Sequence, residues 1–356
     1  MIQRNKPIQK SNKIVITRKS RLLAGCLFLV ISLILQIIAR RVPGFGQWYA
    51  VTIYPVFVRI IGGFFGLFPF SVTEFGLYGL ILGIIWYGIL HIRRPKDFCA
   101  TLFLITAFLI CSYTINCGIN YYRRPFSDYL DLEIRDSSVE ELEALCVFLA
   151  EQVTNTAEEV EWEADQDFPG QAKADMEQLG MRYPQLSGFY PVPKPVMVSE
   201  ILSYQSLTGV YSPFTIEANY NQDITAYNIP HTACHELSHL KGFMREDEAN
   251  FIGYLACAGS DSAFSRYSGY LTGFIYANNA LFGQNPDRAS ELHASLPESV
   301  RKDLQDNNAF WDRYEGKISE AATKVNDTYL KANSQSEGVK SYGRMVDLLL
   351  AYYRVR

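Results

Sequence analysis

Histidine is the scarcest titratable residue in this chain, five in 356 positions, so the placement of those five is informative. Neither sign of charge dominates: Lys and Arg number 33, Asp and Glu 37, and the formal net charge is −4. Without a basic surplus the chain lacks the electrostatic footprint of a nucleic-acid binder, which excludes that class of partner. It also lacks a disulfide framework. Of seven cysteines, Cys26, Cys99, Cys111 and Cys117 lie in apolar stretches, where small polarisable side chains pack well. The other three, Cys146, Cys234 and Cys257, are an odd number in ordinary sequence. No internal repeat and no low-complexity tract interrupts the chain.

What the sequence has in abundance is long apolar runs, all near one end. Apolar residues make up 48% of the chain and charged ones 20%, but residues 22–122 are nearly all apolar. A basic tail, residues 1–21 with seven Lys or Arg, precedes them. Three stretches read as membrane spans, at about 22–39, 75–92 and 98–119, each closed by arginines or lysines. Between the first two, residues 43–74 are apolar but carry Pro43, Pro55, Pro69, a Gly62-Gly63 pair and Arg59. That many breakers suits an interfacial or re-entrant segment, with Trp48, Tyr49 and Tyr54 at headgroup level. An ordinary kinked span is the alternative, and it would invert everything after it. With three spans, the basic tail and the Arg93–Lys96 loop share the cytoplasmic side. The expected location is the cell membrane, multi-pass, with residues 123–356 extracytoplasmic.

From Pro125 the composition is that of a soluble domain. Ser138 with Glu141 forms a capping box for a helix whose stripe is Leu142, Leu145, Leu149 and Val153. The acidic run Glu158–Asp167 reads as a solvated face or loop, and Pro184–Pro195 as a connector. Strands are expected at 196–198, 214–220 and 224–228, the last two as a hairpin around Asn221-Gln222-Asp223. Helices follow at 251–258 and 262–282, and mostly amphipathic helices continue to the end. The polar stretch Thr328–Gly343 is expected as a loop over a cleft.

Three of the five histidines, His231, His235 and His239, fall within nine residues. Two of them frame His235-Glu236-Leu237-Ser238-His239, an HExxH pattern. Residues four apart on a helix share a face, so His235 and His239 can present imidazoles to one zinc ion. Glu236, one step round, can reach the open coordination position as a general base. Asn228 and Pro230 supply a helix start, and Gly242 a helix stop that turns the chain back. The third ligand then comes from Glu246, Asp247 or Glu248. Cys234 points to another face and reads as a small buried residue. His231 reads as packed or solvent-facing. Tyr342, Arg344 and Tyr211 are candidates to stabilise an oxyanion.

The run Glu246-Asp247-Glu248-Ala249-Asn250 resembles the ExxxD or ExxAN element of gluzincin-type metallopeptidases, such as thermolysin and the CAAX prenyl proteases. The resemblance implies Glu246 as a zinc ligand and Asn250 as a hydrogen-bond partner of a ligand histidine. The gap from His239 to Glu246 is short for many gluzincins, which leaves Glu248 open as an alternative. More widely, Gly209–Thr215, His235–Gly242, Glu246–Phe251 and Ser341–Gly343 resemble a bacterial family catalogued as domain of unknown function 3810. That likeness implies a membrane zinc peptidase and little about its substrate.

The expected fold is α+β: N-terminal transmembrane helices, then a mostly helical zincin-like domain with a small sheet. The expected function is a membrane-anchored metallopeptidase that hydrolyses a membrane, secreted or cell-wall peptide. Its expected cofactor is Zn2+, and the lipid bilayer is its other partner. Two rival readings are a protease that cuts within the bilayer and an inactive zinc-binding scaffold or sensor.

Overall fold

A computed structural model describes residues 17–161, 166–333 and 344–354. Four helices in its N-terminal third are long and apolar enough to cross a membrane: α1 (Arg18–Arg41), α2 (Phe45–Phe65), α3 (Val72–Leu90) and α4 (Pro95–Tyr122). Helices of this kind point to membrane association. Three coincide with the expected spans, and α2 occupies the stretch full of breakers. Pro55 does not stop it, because the helix breaks at Ile53 and restarts at Tyr54, which puts Pro55 in the first turn of the new segment, where its missing N–H costs nothing. The irregularity is absorbed instead as a π turn over Val58–Gly62.

Helix α1 packs along α4, with the Phe103 ring lying against Gly25. At the end away from the rest of the chain, Arg21 donates to the Tyr87 hydroxyl at 2.8 Å and pairs with Asp97 at 3.3 Å. The start of α1 and the α3–α4 connection therefore lie together. At the opposite end the apolar helices meet the remainder of the chain. The Val72 and Thr73 amides at the start of α3 donate to Glu217 at 3.2 and 2.8 Å. Both ends of α2 are also here: Gly46 lies against the Tyr122 backbone and Gly62 against Ile216. One contiguous core runs from Tyr49, Tyr54, Cys117 and Ile119 through Phe126 to Leu237, Phe243 and Leu349.

The rest is mostly helical. Helix α5 (Val139–Glu159) carries the expected capping box, in which Ser138 and Glu141 satisfy each other's backbone amides. Helices α6 (Phe168–Arg182), α7 (Asn228–Leu240), α8 (Glu246–Ala258) and α9 (Ala263–Phe282) build the centre. Helices α10 (Pro286–Ser295), α11 (Glu298–Asp312), α12 (Lys317–Ala332) and α13 (Met345–Arg354) surround it. A three-stranded sheet has β1 (Lys194–Val196), β2 (Gly209–Ser212) and β3 (Glu217–Asn221) in the order β1-β3-β2. Strand β1 runs parallel to β3 and β2 antiparallel to it, with Val210 opposite Asn219.

The strand positions differ from those expected. The hairpin joins β2 to β3 and turns before Glu217, with Ile216 in a left-handed conformation (φ 51°). Asn221-Gln222-Asp223 is not a hairpin tip. The Asn221 side chain accepts the Asp223 amide at 3.0 Å, a local turn that leads β3 out of the sheet. Ile224 and Tyr227 are apolar because they enter the core ahead of α7, so residues 224–228 form no strand. Thr328–Ala332, the start of the expected loop, is the last turn of α12, and residues 334–343 lie outside the described part.

Candidate metal centre

The HExxH residues lie on α7, which packs against α8, α6, β3 and β2. Its exit forms a helix stop of the Schellman type. Gly242 adopts φ 88°, its amide bonds to His239 O at 2.8 Å, and the Phe243 amide bonds to Ser238 O at 3.1 Å. This turn folds the chain back and places the Phe243 carbonyl 2.8 Å from His239 Nδ1. That nitrogen donates its proton to the carbonyl, which fixes the ring and turns Nε2 towards Glu246.

Four residues further on, Glu246 opens α8. Its Oε2 lies 3.2 Å from His235 Nε2 and 3.6 Å from His239 Nε2. The two rings stand perpendicular, with centroids 4.6 Å apart. Three donors on one tetrahedral zinc at about 2.0–2.1 Å would sit roughly 3.3 Å from one another. The donor set fits zinc both in chemistry and in spacing. Burial alone would raise the Glu246 carboxyl, but His239 and His235 beside it overcome that and hold it well below the usual range. Burial opposes the charge on His239 as well, yet Glu246 lifts that imidazole to about 9. The three side chains thus form an ion-paired cluster that a divalent cation can enter by displacing a proton.

Glu236 faces the same space from the next position on α7. It is buried, its Oε1 lies against Gly209, and a Cβ there would come within 2.6 Å. Glycine at 209 is what lets β2 run this close. Glu236 Oε2 is buried without a partner among the described residues. Burial pushes its carboxyl up to about 7, against the opposing pull of His235 and His239. All four side chains border a cleft of about 630 Å³, a size that takes a stretch of peptide.

The other sequence candidates are placed as follows. Glu248 is turned away, and its Oε1 accepts the Phe126 amide at 2.8 Å. Glu246, not Glu248, stands at the histidine pair. The Asn250 side chain reaches the Tyr276 hydroxyl at 3.5 Å and bonds neither His235 nor His239. The Asn250 backbone carbonyl instead accepts from His231 Nε2 at 3.1 Å, and burial drives the His231 imidazole down to about 3. His235 Nδ1 has no partner among the described residues. Cys234 is buried on the opposite face, 3.7 Å from Ala172 O and 3.8 Å from Cys257 Sγ. Of the oxyanion candidates, the Tyr211 hydroxyl is held by the Tyr54 hydroxyl at 2.7 Å, and Arg344 faces Asp247 at 3.7 Å. Tyr342 lies outside the described residues.

Among the cleft residues not picked out from sequence are Tyr276, Tyr121 and Tyr329. Tyr276 had a signal, since Thr272, Ile275, Tyr276 and Asn279 share a face of α9 and all border the cleft. Tyr121, at the end of α4, had none, because it lies more than a hundred residues before the histidines.

No curated protein and no solved structure matches the chain. A family model described as "Protein of unknown function (DUF3810)" matches residues 49–350. That span takes in most of α2, all of α3 and α4, the sheet and every cleft residue named above, and the chain belongs to this family.

Proposed function

We propose that this chain is a membrane-anchored zinc metallopeptidase. The observation that carries the reading is the meeting of His235 Nε2, His239 Nε2 and Glu246 Oε2 in the lining of a cleft, with Glu236 beside them. Zinc held there supplies Lewis-acid polarisation of a peptide carbonyl and acidifies the attacking water. Glu236 accepts the water's proton and passes it to the leaving amine. Its burial keeps the carboxyl basic enough for that role. Strand β2 is an edge of the sheet and borders the cleft, so an extended substrate can pair along it. Tyr276, half-buried near Glu246, is the hydroxyl that we assign to the developing oxyanion.

The scaffold reading requires a protein donor to close the fourth position. Its two candidates, His231 and Cys234, are engaged elsewhere. For topology, both ends of α2 lie against the cleft-bearing part, as do the end of α4 and the start of α3. This supports α2 lying along the membrane surface, with α1, α3 and α4 crossing and the cleft outside the cytoplasm. It also speaks against cleavage within the bilayer, because the histidines sit beyond the ends of the spans.

The test uses the full chain in lipid nanodiscs. Zinc is counted by mass spectrometry and cleavage by digestion of a peptide library. Glu236→Gln is expected to keep one zinc per chain and to lose hydrolysis by roughly two to four orders of magnitude. Wild-type cleavage by that variant would end the mechanism. A zinc-loaded wild type that cuts nothing in the library would favour the scaffold.

A further inference from the structure

Helix α12 stands out for how little of it the protein covers. Leu330 is its one buried residue. The helix is amphipathic, yet its apolar face is not the one turned inward. Ile318, Ala321, Val325 and Ala332 fall on a single stripe and are exposed, Ile318 by 62% and Val325 by 70%. The inward side adjoins that stripe and carries Leu330 and the cleft residues Asn326 and Tyr329. Along one flank of the apolar stripe run Lys317, Lys324 and Lys331, spaced seven apart so that they share a face. Lys331 also pairs with Asp327 at 2.6 Å, an exposed contact of the kind that contributes little.

The position of α12 is fixed by its last turn. The Tyr329 hydroxyl lies 3.2 Å from that of Tyr113 and 3.1 Å from that of Tyr121, and Asn333 Oδ1 accepts from Tyr113 at 2.9 Å. Tyr113 and Tyr121 lie in the final turns of α4, the last of the apolar helices. The end of α12 is thus tethered where that helix emerges. An exposed apolar stripe bordered by lysines is the pattern of a helix that lies in a lipid interface.

We propose that α12 docks on the anionic bilayer in which the chain's own apolar helices sit. Its apolar stripe enters the headgroup–acyl boundary, and Lys317, Lys324 and Lys331 meet lipid phosphates. Because Asn326 and Tyr329 also border the cleft, docking holds the cleft mouth beside the membrane surface. The site then takes polypeptide that lies on or emerges from the bilayer. The docking itself does not depend on zinc or on hydrolysis.

The test is made on the full chain in nanodiscs, with the exposed Cys26 and Cys99 changed to Ser. An environment-sensitive NBD probe is attached at Val325→Cys on the stripe or at Glu320→Cys on the polar side. The Val325 probe is expected to emit further to the blue and to be quenched several-fold more by brominated lipid than the Glu320 probe. The difference should grow with the phosphatidylglycerol fraction, and Lys317→Gln with Lys324→Gln should remove that dependence. Equal quenching of both probes by aqueous iodide, with none by brominated lipid, would overturn the proposal. Disulfide-linked dimers through Val325→Cys would overturn it too, because a second copy would then cover the stripe. Circular dichroism of each variant separates loss of docking from loss of fold.

Discussion

Helix α7 carries two clusters of three metal-type donors, back to back. On one face His235 and His239 meet Glu246; on the other Cys234 meets Cys257 and Asp175. By composition and spacing both can hold an ion. They differ in what surrounds them. The first borders a cleft, and one of its histidines is oriented by a carbonyl. The second is sealed in the core: Asp175 Oδ1 accepts from Ser260 at 2.5 Å and Gln171 at 2.8 Å, and Cys234 Sγ lies toward Ala172 O. The contact with Cys257 and burial raise the Cys234 thiol, and burial raises the Cys257 thiol and the Asp175 carboxyl, so each donor resists the deprotonation that binding an ion requires. Donor proximity makes a metal site only where donors are oriented and an ion can enter.

The contrast is broken most directly by counting zinc. His239→Ala should take the full chain from one zinc to none, whereas Cys234→Ala should leave one. Two zincs in the wild type, one of them lost with Cys234, would erase the distinction. Next in size is the choice of carboxylate. Glu246→Gln should weaken zinc binding by several orders of magnitude, and Glu248→Gln should leave it within a few-fold, read by competition with a chelator. A smaller effect is expected at the turn between His239 and Glu246. Gly242→Ala forces a left-handed alanine whose Cβ meets Arg123 Nη1 at 3.1 Å. A loss of about 1–2 kcal/mol in stability and about 10–100-fold in zinc affinity should follow, because the Phe243 carbonyl moves with the turn.

The smallest effect lies in the sealed cluster. The Asp175 carboxyl is raised by burial, with Ser260 and Gln171 only partly opposing. Its folded value lies above its unfolded one, so it costs nothing at low pH. The cost grows as pH rises from the unfolded value through the folded one and is constant beyond. Asp175→Asn should therefore flatten the pH dependence of Tm on that rise, with a gain on the order of 1 kcal/mol at neutral pH. A melting profile as steep as the wild type would show that Asp175 is ionised without penalty.

Much of the open site was legible because it is local. The four-residue spacing of the histidines, Gly242 and the acidic start of α8 all lie within one short stretch, where helix periodicity and turn chemistry suffice. Even so, sequence left Glu246 and Glu248 open, and only the path after Gly242 brings the first to the histidines. The capping box at Ser138 was readable for the same reason. The hairpin was misplaced because a run such as Ile224–Asn228 looks alike whether its apolar residues line a sheet or enter a helical core. The shared core was hidden altogether. That Tyr54 would meet Leu240 O, or that Tyr121 would border the cleft, depends on contacts far apart in the chain.

Those contacts set an order of events in the life of the molecule. The carbonyls exposed by the turn after His239 are taken up by side chains from the apolar region: Tyr54 bonds Leu240 O at 3.1 Å and Arg123 bonds Lys241 O at 2.7 Å. Asn116 likewise holds Pro213 O, just beyond β2, at 2.7 Å. All three leave the ribosome long before His235 does. A nascent chain whose first helices have not yet settled holds that turn by its own backbone bonds alone, and the carbonyls of Leu240 and Lys241 gain these partners only once the anchor is in place.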